Sequence, residues 1–159
     1  LKIHKGYIHS SLNVSYMGAV RNILQSKGNS TFSITPYHSV YQALEIMVEK
    51  NVSSLVVLED EKLIGIFTER DYARKVILKG KASRETPVGD IMSGNVLTVT
   101  PDSTIDECMQ LMTGKFIRHL PVIENEKLVG LVSIGDVVKY IIEEQKFIIE
   151  NMEHYIGGT

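Results

Sequence analysis

The chain has 159 residues, 43% of them hydrophobic and 23% charged, which suits one globular domain or two half-sized units sharing a core, and not a disordered polymer. A formal net charge of -2 excludes general attraction to nucleic acid or an anionic membrane, and no run of 18 apolar residues exists to span one. The single cysteine, Cys108, excludes a disulfide framework and a multi-thiolate metal site, and is compatible with a reducing compartment such as the cytoplasm.

Residues 1–15 carry no hydrophobic period and read as a loose arm; a chain that starts at Leu1 is expected to be trimmed or a piece of a longer one. Tyr16 to Lys27 reads as a short helix with Val20, Ile23 and Leu24 on one face, stopped by Gly28. Phe32 to Ile34 is a brief strand ended at Pro36. From Ser39 the apolar positions Val40, Ala43, Leu44 and Met47 fall at the spacing of a helix with one buried face. Leu55 to Leu58 and Leu63 to Phe67 flank a polar turn, as in a hairpin, and a helix from Glu69 to about Lys79 follows. The linker from Gly80 to Gly94 leads into a second series of the same elements. Its last helix runs on from Ile134 with an apolar stripe (Val138, Ile141, Ile142, Phe147, Ile148, Ile149, Met152, Ile156) broader than one core face needs. That stripe is expected to meet a second subunit or to lie as a lid over its own core.

The second series is a copy of the first. Thr35 to Ala73 overlays Thr100 to Val138 at an offset of 65 residues without a gap, with 12 of 39 pairs identical, among them Gly65 with Gly130 and Asp71 with Asp136. Val88, Ile91 and Met92 repeat Val20, Ile23 and Leu24 at an offset of 68 residues. A unit too small to bury its own core stacks on its copy, and the seam between copies is a natural cleft. The order strand, helix, strand, strand, helix in each copy predicts an α+β fold. The expected organisation is an arm over 1–15, one repeat with its lead-in helix over 16–80, a second over 81–150, and a tail over 151–159.

The stretches GIFTERDYARKV (Gly65 to Val76), GLVSIGDVV (Gly130 to Val138), IRHLPVIE (Ile117 to Glu124) and PVGDIMS (Pro87 to Ser93) resemble the tandem CBS domain, or Bateman module. The resemblance implies two β-α-β-β-α copies packed through their sheets about a pseudo-two-fold axis. It also implies two clefts that hold adenosine nucleotides such as AMP, ADP, ATP or NAD, and pairing of modules into a homodimer.

Thr68 with Asp71, and Ser133 with Asp136, lie where a strand gives way to a helix. A carboxylate there can accept hydrogen bonds from ribose hydroxyls, and the resemblance implies a grip on ribose and phosphate; the same spacing is also a helix capping box. Both readings can hold together. Thr35 and Thr100 end the first strands, where a hydroxyl could meet a ligand or simply precede a helix cap. Arg118 and His119 are expected to meet phosphate, with Pro121 in the same strand. Copy one has Ser53 and Ser54 there, so the two clefts are expected to be inequivalent. Arg70 opens a basic run continued by Arg74, Lys75, Lys79, Lys81 and Arg84, read as a solvated face or as an approach for a longer ligand such as ATP or NAD.

Neither a G-x-G-x-x-G nor a G-x-x-x-x-G-K-[ST] loop occurs, and no His lies at metal-ligand spacing from a second His or Cys. Cys108 sits at a core position. No catalytic group stands out, so a non-enzymatic nucleotide-sensing module that acts on an unidentified regulated protein is expected, with no catalytic cofactor. The alternatives are an empty dimerisation module and a regulatory fragment of a larger enzyme or transporter.

Overall fold

A computed structural model describes residues 16–28 and 30–157; the expected arm and the last two residues lie outside that span. The elements are α1 (Val20–Lys27), β1 (Ser33–Ile34), α2 (Val40–Lys50), β2 (Ser54–Glu59), β3 (Lys62–Thr68), α3 (Glu69–Asp71), α4 (Val88–Ile91), α5 (Ile105–Lys115), β4 (His119–Glu124), β5 (Lys127–Ser133) and α6 (Ile134–Gly157). The predicted α+β class holds. Ser39 and Thr104 cap α2 and α5, each accepting from the N–H three residues on, while Gln42 and Glu107 reach back to complete the boxes. Both hairpins form in matching register, with Val56 opposite Ile66 and Pro121 opposite Leu131.

Three differences from the sequence reading bear on function. First, α1 begins at Val20, not Tyr16, because Ala19 is extended (φ -131°) and bridges to Thr104, and the Met17 carbonyl accepts from the Tyr140 hydroxyl. Second, the first strand of copy two shrinks to one parallel bridge between Val99 and Val122. In copy one the Val56 N–H donates to the Phe32 carbonyl; Pro121 stands at Val56's position and has no N–H to give. Third, the stretch after Asp71 is not a regular helix but a π turn (Tyr72–Val76) and a 3-10 turn (Ile77–Lys79), closed by Gly80 at φ 68°.

The two lead-in helices cross over. Val20, Ile23 and Leu24 are buried with Ile105, Cys108, Leu120 and Val132, the core of copy two. Val88 and Ile91 are buried with Val40, Ala43, Leu55 and Phe67, the core of copy one. Hydrogen bonds repeat the exchange symmetrically: Val20 N–H to the Ser103 carbonyl and Arg21 to Pro101, against Val88 to His38 and Gly89 to Pro36. Each lead-in segment assigned to its own repeat along the sequence therefore completes the other repeat in space.

The paired glycines make this crossing possible. A Cβ on Gly65 would stand 2.5 Å from Met92 Sδ and 3.0 Å from the Ser93 carbonyl oxygen, and one on Gly130 would stand 2.6 Å from Leu24 Cδ2. At Gly65 the backbone itself stands close, whereas at Gly130 the contact is the end of a side chain.

Candidate functional site

A cleft of about 690 Å³ opens between the copies. Its walls come from three places: the end of β3 and start of α3 (Thr68 to Asp71, with Arg74 and Lys75), the segment after α4 (Ser93, Asn95, Val96, Leu97), and the turn from α5 into β4 (Lys115 to His119). Val96 and Leu97, the counterparts of Thr31 and Phe32, line the cleft, and Pro121 has no N–H to offer the Leu97 carbonyl. Ser53 and Ile66 complete it.

Asp71 is 7% exposed and anchored from both sides. Its Oδ2 accepts the Thr68 N–H at 3.0 Å and the Thr68 hydroxyl at 3.1 Å, while Thr68 Oγ1 accepts the Asp71 N–H at 3.1 Å. Its Oδ1 lies 3.1 Å from Lys75 Nζ and accepts the Ser93 hydroxyl at 3.3 Å. The capping box read from the sequence is thus formed, and its four donors match the roughly four lone-pair directions of a carboxylate, so a ligand hydroxyl has to take the place of one of them. Lys75 also donates to the Ile91 carbonyl at 3.2 Å, which ties the turn after Asp71 to the crossed helix α4.

Five cationic side chains, Arg70, Arg74, Lys75, Lys115 and Arg118, face this space against the two carboxylates Glu69 and Asp71. The cleft therefore carries an excess of positive charge in a chain that is net acidic. Arg70 Nη1 donates to the Phe116 carbonyl at 3.2 Å and joins the two copies across the cleft. Phe116 is 80% exposed and holds a left-handed backbone (φ 53°), where copy one has Asn51 at φ 52°. Asparagine tolerates that conformation and phenylalanine does so rarely. His119 Nε2 lies 3.4 Å from Ser53 Oγ at the seam. Burial lowers its pKa, with the Lys27 and Arg118 charges adding to the effect and Asp136 opposing it.

Of the predicted site residues, Thr68, Arg70, Asp71, Arg118 and His119 come together in this cleft. Thr35 is exposed and its hydroxyl pairs with His38 Nδ1 at 2.8 Å, beside the cap of α2; Thr100 lies equivalently beside Ser103. Ser54 is 4% exposed and paired with Thr68 in the sheet, so Ser53 and not Ser54 faces the cleft. Pro121 is buried in β4, opposite Leu131. Ser133 and Asp136 form the second capping box, with Asp136 Oδ2 accepting the Ser133 N–H at 2.8 Å. Lys27 Nζ donates to the same Oδ2 at 2.6 Å and to the Leu131 carbonyl at 2.8 Å. Burial works against the Asp136 charge, yet the bonds from Lys27 and Ser133 hold its carboxyl below the ordinary aspartate value.

Sequence reasoning missed Ser93, Asn95, Val96, Leu97 and Phe116. For the first four the signal was the 68-residue echo of α1 in α4, read as an exchange rather than a succession; for Phe116 it was the departure from Asn51 at the 65-residue offset. In the basic run, Arg70, Arg74 and Lys75 reach the cleft, whereas Arg84 stacks on Tyr41 at 3.8 Å. Cys108 is fully buried, and burial pushes its thiol up to about 11, which suits packing and not nucleophilic chemistry.

Two copies of one small α+β unit, exchanging helices and enclosing a cationic cleft at their seam, define a tandem-repeat module with a built pocket. The chain belongs to the CBS domain family: a sequence model of that family matches residues 22–77 and 88–143. It is 41% identical over 148 residues to the mitochondrial CBS domain-containing protein CBSX3 of Arabidopsis thaliana, covering 87% of this chain and 72% of that protein. The solved structure of a putative signal-transduction protein with CBS domains from Burkholderia ambifaria is 45% identical, with a TM-score of 0.78 over 80% of this chain and 96% of that one. CBSX2, solved in complex with AMP, is 27% identical with a TM-score of 0.65, over 80% of this chain and 98% of that one.

Proposed function

We propose that this chain is a non-catalytic regulatory module that binds an adenosine nucleotide in the Asp71 cleft and passes the ligand's presence on through its conformation or its pairing with a second copy. The observation that carries this reading is the juxtaposition of the anchored Thr68–Asp71 pair with Arg70, Arg118 and His119 across a cavity of about 690 Å³. Asp71 accepts from ribose hydroxyls; Arg70 and Arg118 meet phosphate, Arg118 with a fork suited to bidentate contact. Val96, Leu97 and Ile117 supply apolar wall for a base. AMP is the first candidate because CBSX2 was solved with it, and Arg74 and Lys115 extend the cationic surface toward the longer ATP or NAD. Pairing with a second copy is supported by α6, where Val138, Ile142, Phe147, Ile149 and Met152 remain exposed and Val137 alone is buried.

Ligand that binds only the folded form stabilises it by RT ln(1 + [L]/Kd), about 2.7 kcal/mol at a hundredfold excess. AMP, ATP and NAD(H) near saturation are expected to raise the melting temperature, and Asp71→Ala to cancel the rise. Failure of every adenosine compound to move it would leave an empty interaction module. That module would be recognised by a concentration-dependent mass sensitive to Ile149→Glu.

A further inference from the structure

Among the large apolar side chains that the fold leaves exposed, Leu97 and Phe116 line the cleft, and both belong to copy two. Their counterparts in copy one, at the offset of 65 residues, are Phe32 and Asn51. There the Phe32 ring packs against the core with Lys50 Nζ 5.6 Å from its centre, and asparagine takes the left-handed position that closes α2. In copy two the aromatic ring occupies the left-handed position instead, and the protein does not cover it.

Closing the helix does not call for phenylalanine, since asparagine does the same at the end of α2. Three hydrogen bonds hold the unfavourable backbone: the Phe116 and Ile117 N–H groups both donate to the Met112 carbonyl, and the Phe116 carbonyl accepts from Arg70 Nη1 of copy one at 3.2 Å. With φ 53° and ψ 38° fixed in this way, the direction of the Cα–Cβ bond is fixed too. The ring is aimed without being buried. A sparsely populated conformation with no packing in return points to a contact outside the chain. The polar groups of the cleft suit ribose and phosphate, and the flat face of a base is met best by carbon, for which an aromatic ring is the strongest partner.

We propose that Phe116 is the base-stacking residue of this cleft, covering one face of the bound nucleobase and favouring ligands that carry a base over a sugar phosphate alone. The proposal rests on the nucleotide-binding reading above and names the side chain that recognises the base. Because Arg70 holds the Phe116 carbonyl, one contact across the copies positions both the ring and a phosphate-binding guanidinium.

Calorimetric titration of the full chain with AMP and with ribose 5-phosphate, beside thermal melts of the ligand-free protein, tests this. Phe116→Ala and Phe116→Asn are expected to weaken AMP about tenfold, the usual scale of base stacking on an aromatic side chain, and to leave ribose 5-phosphate unchanged. Phe116→Tyr is expected to keep the wild-type affinity for AMP. Phe116→Asn, which copies Asn51, is also expected to raise the melting temperature of the ligand-free protein, because asparagine tolerates the left-handed backbone. A purely structural phenylalanine does not give that pair of opposite effects. The chain has no tryptophan, so Phe116→Trp introduces a sole indole whose fluorescence AMP is expected to quench and ribose 5-phosphate to leave alone. Unchanged AMP affinity in folded Phe116→Ala and Phe116→Asn would overturn the proposal, as would equal losses for AMP and ribose 5-phosphate. Absence of AMP binding to wild type overturns the nucleotide reading and this inference with it, an outcome distinct from the other two.

Discussion

The two halves share a plan and diverge where it matters. Copy one ends its third strand in Phe67 and the Thr68–Asp71 box, followed by a π turn that brings Arg74 and Lys75 to the cleft. Copy two ends the same strand in Val132 and the Ser133–Asp136 box, and α6 continues unbroken for 24 residues. The π turn is the kind of local departure that accompanies functional sites, and it lies on the side with the open cavity. Duplication supplies the frame, and the copy that departs from regularity places Arg74 and Lys75 on the wall of the cleft.

The largest expected effect breaks the symmetry of the cores. Phe67 and Val132 are equivalent and both fully buried. Phe67→Ala should cost about 3–5 kcal/mol, and Val132→Ala about 1.5–3 kcal/mol, because the cavity left behind scales with the side chain removed. Urea denaturation of both variants measures the difference. Equal losses would mean that the phenyl ring does not anchor copy one more strongly than valine anchors copy two.

A smaller contrast separates the glycines. At Gly130 a methyl meets the flexible end of Leu24, which can swing aside; at Gly65 it meets Met92 Sδ and also the Ser93 carbonyl, which accepts the Ile66 N–H at 3.0 Å. Gly65→Ala should therefore destabilise by about 1–3 kcal/mol and Gly130→Ala by less. Gly65→Ala should also weaken nucleotide binding, because the displaced Ser93 hydroxyl anchors Asp71. Thermal melts with and without AMP read both effects.

The sequence disclosed the duplication, both hairpins, the caps of α2 and α5, and five of the residues gathered in the cleft, because these depend on local period and spacing. The crossing of α1 and α4 did not show, since an apolar face declares that it is buried and not against what. Pro121 was read for its motif, whereas its missing N–H costs the first strand of copy two the bond that Val56 gives to Phe32 in copy one. Lys27 entered the sequence reading only as the end of a helix. Its role depends on Asp136, 109 residues away, and only the fold brings them together.

The finest test of the asymmetry is a pH profile. Burial holds the His119 pKa below 6.5, so between its folded and unfolded pKa values the unfolded chain binds more protons than the folded one. Stability contributed by the neutral imidazole is therefore full above about pH 6.5 and falls as pH drops toward the folded pKa, where the loss levels off. Ser54 occupies the equivalent site in copy one and cannot titrate, so the effect belongs to one side of the seam. His119→Gln should flatten the decline in melting temperature between pH 7.5 and 5.5, by a smaller amount than either core or glycine substitution produces. A nucleotide phosphate beside His119 favours its protonated form, so saturating AMP should also flatten the decline. A profile for His119→Gln that overlays wild type would remove His119 from the pH response and assign the residual slope to other groups.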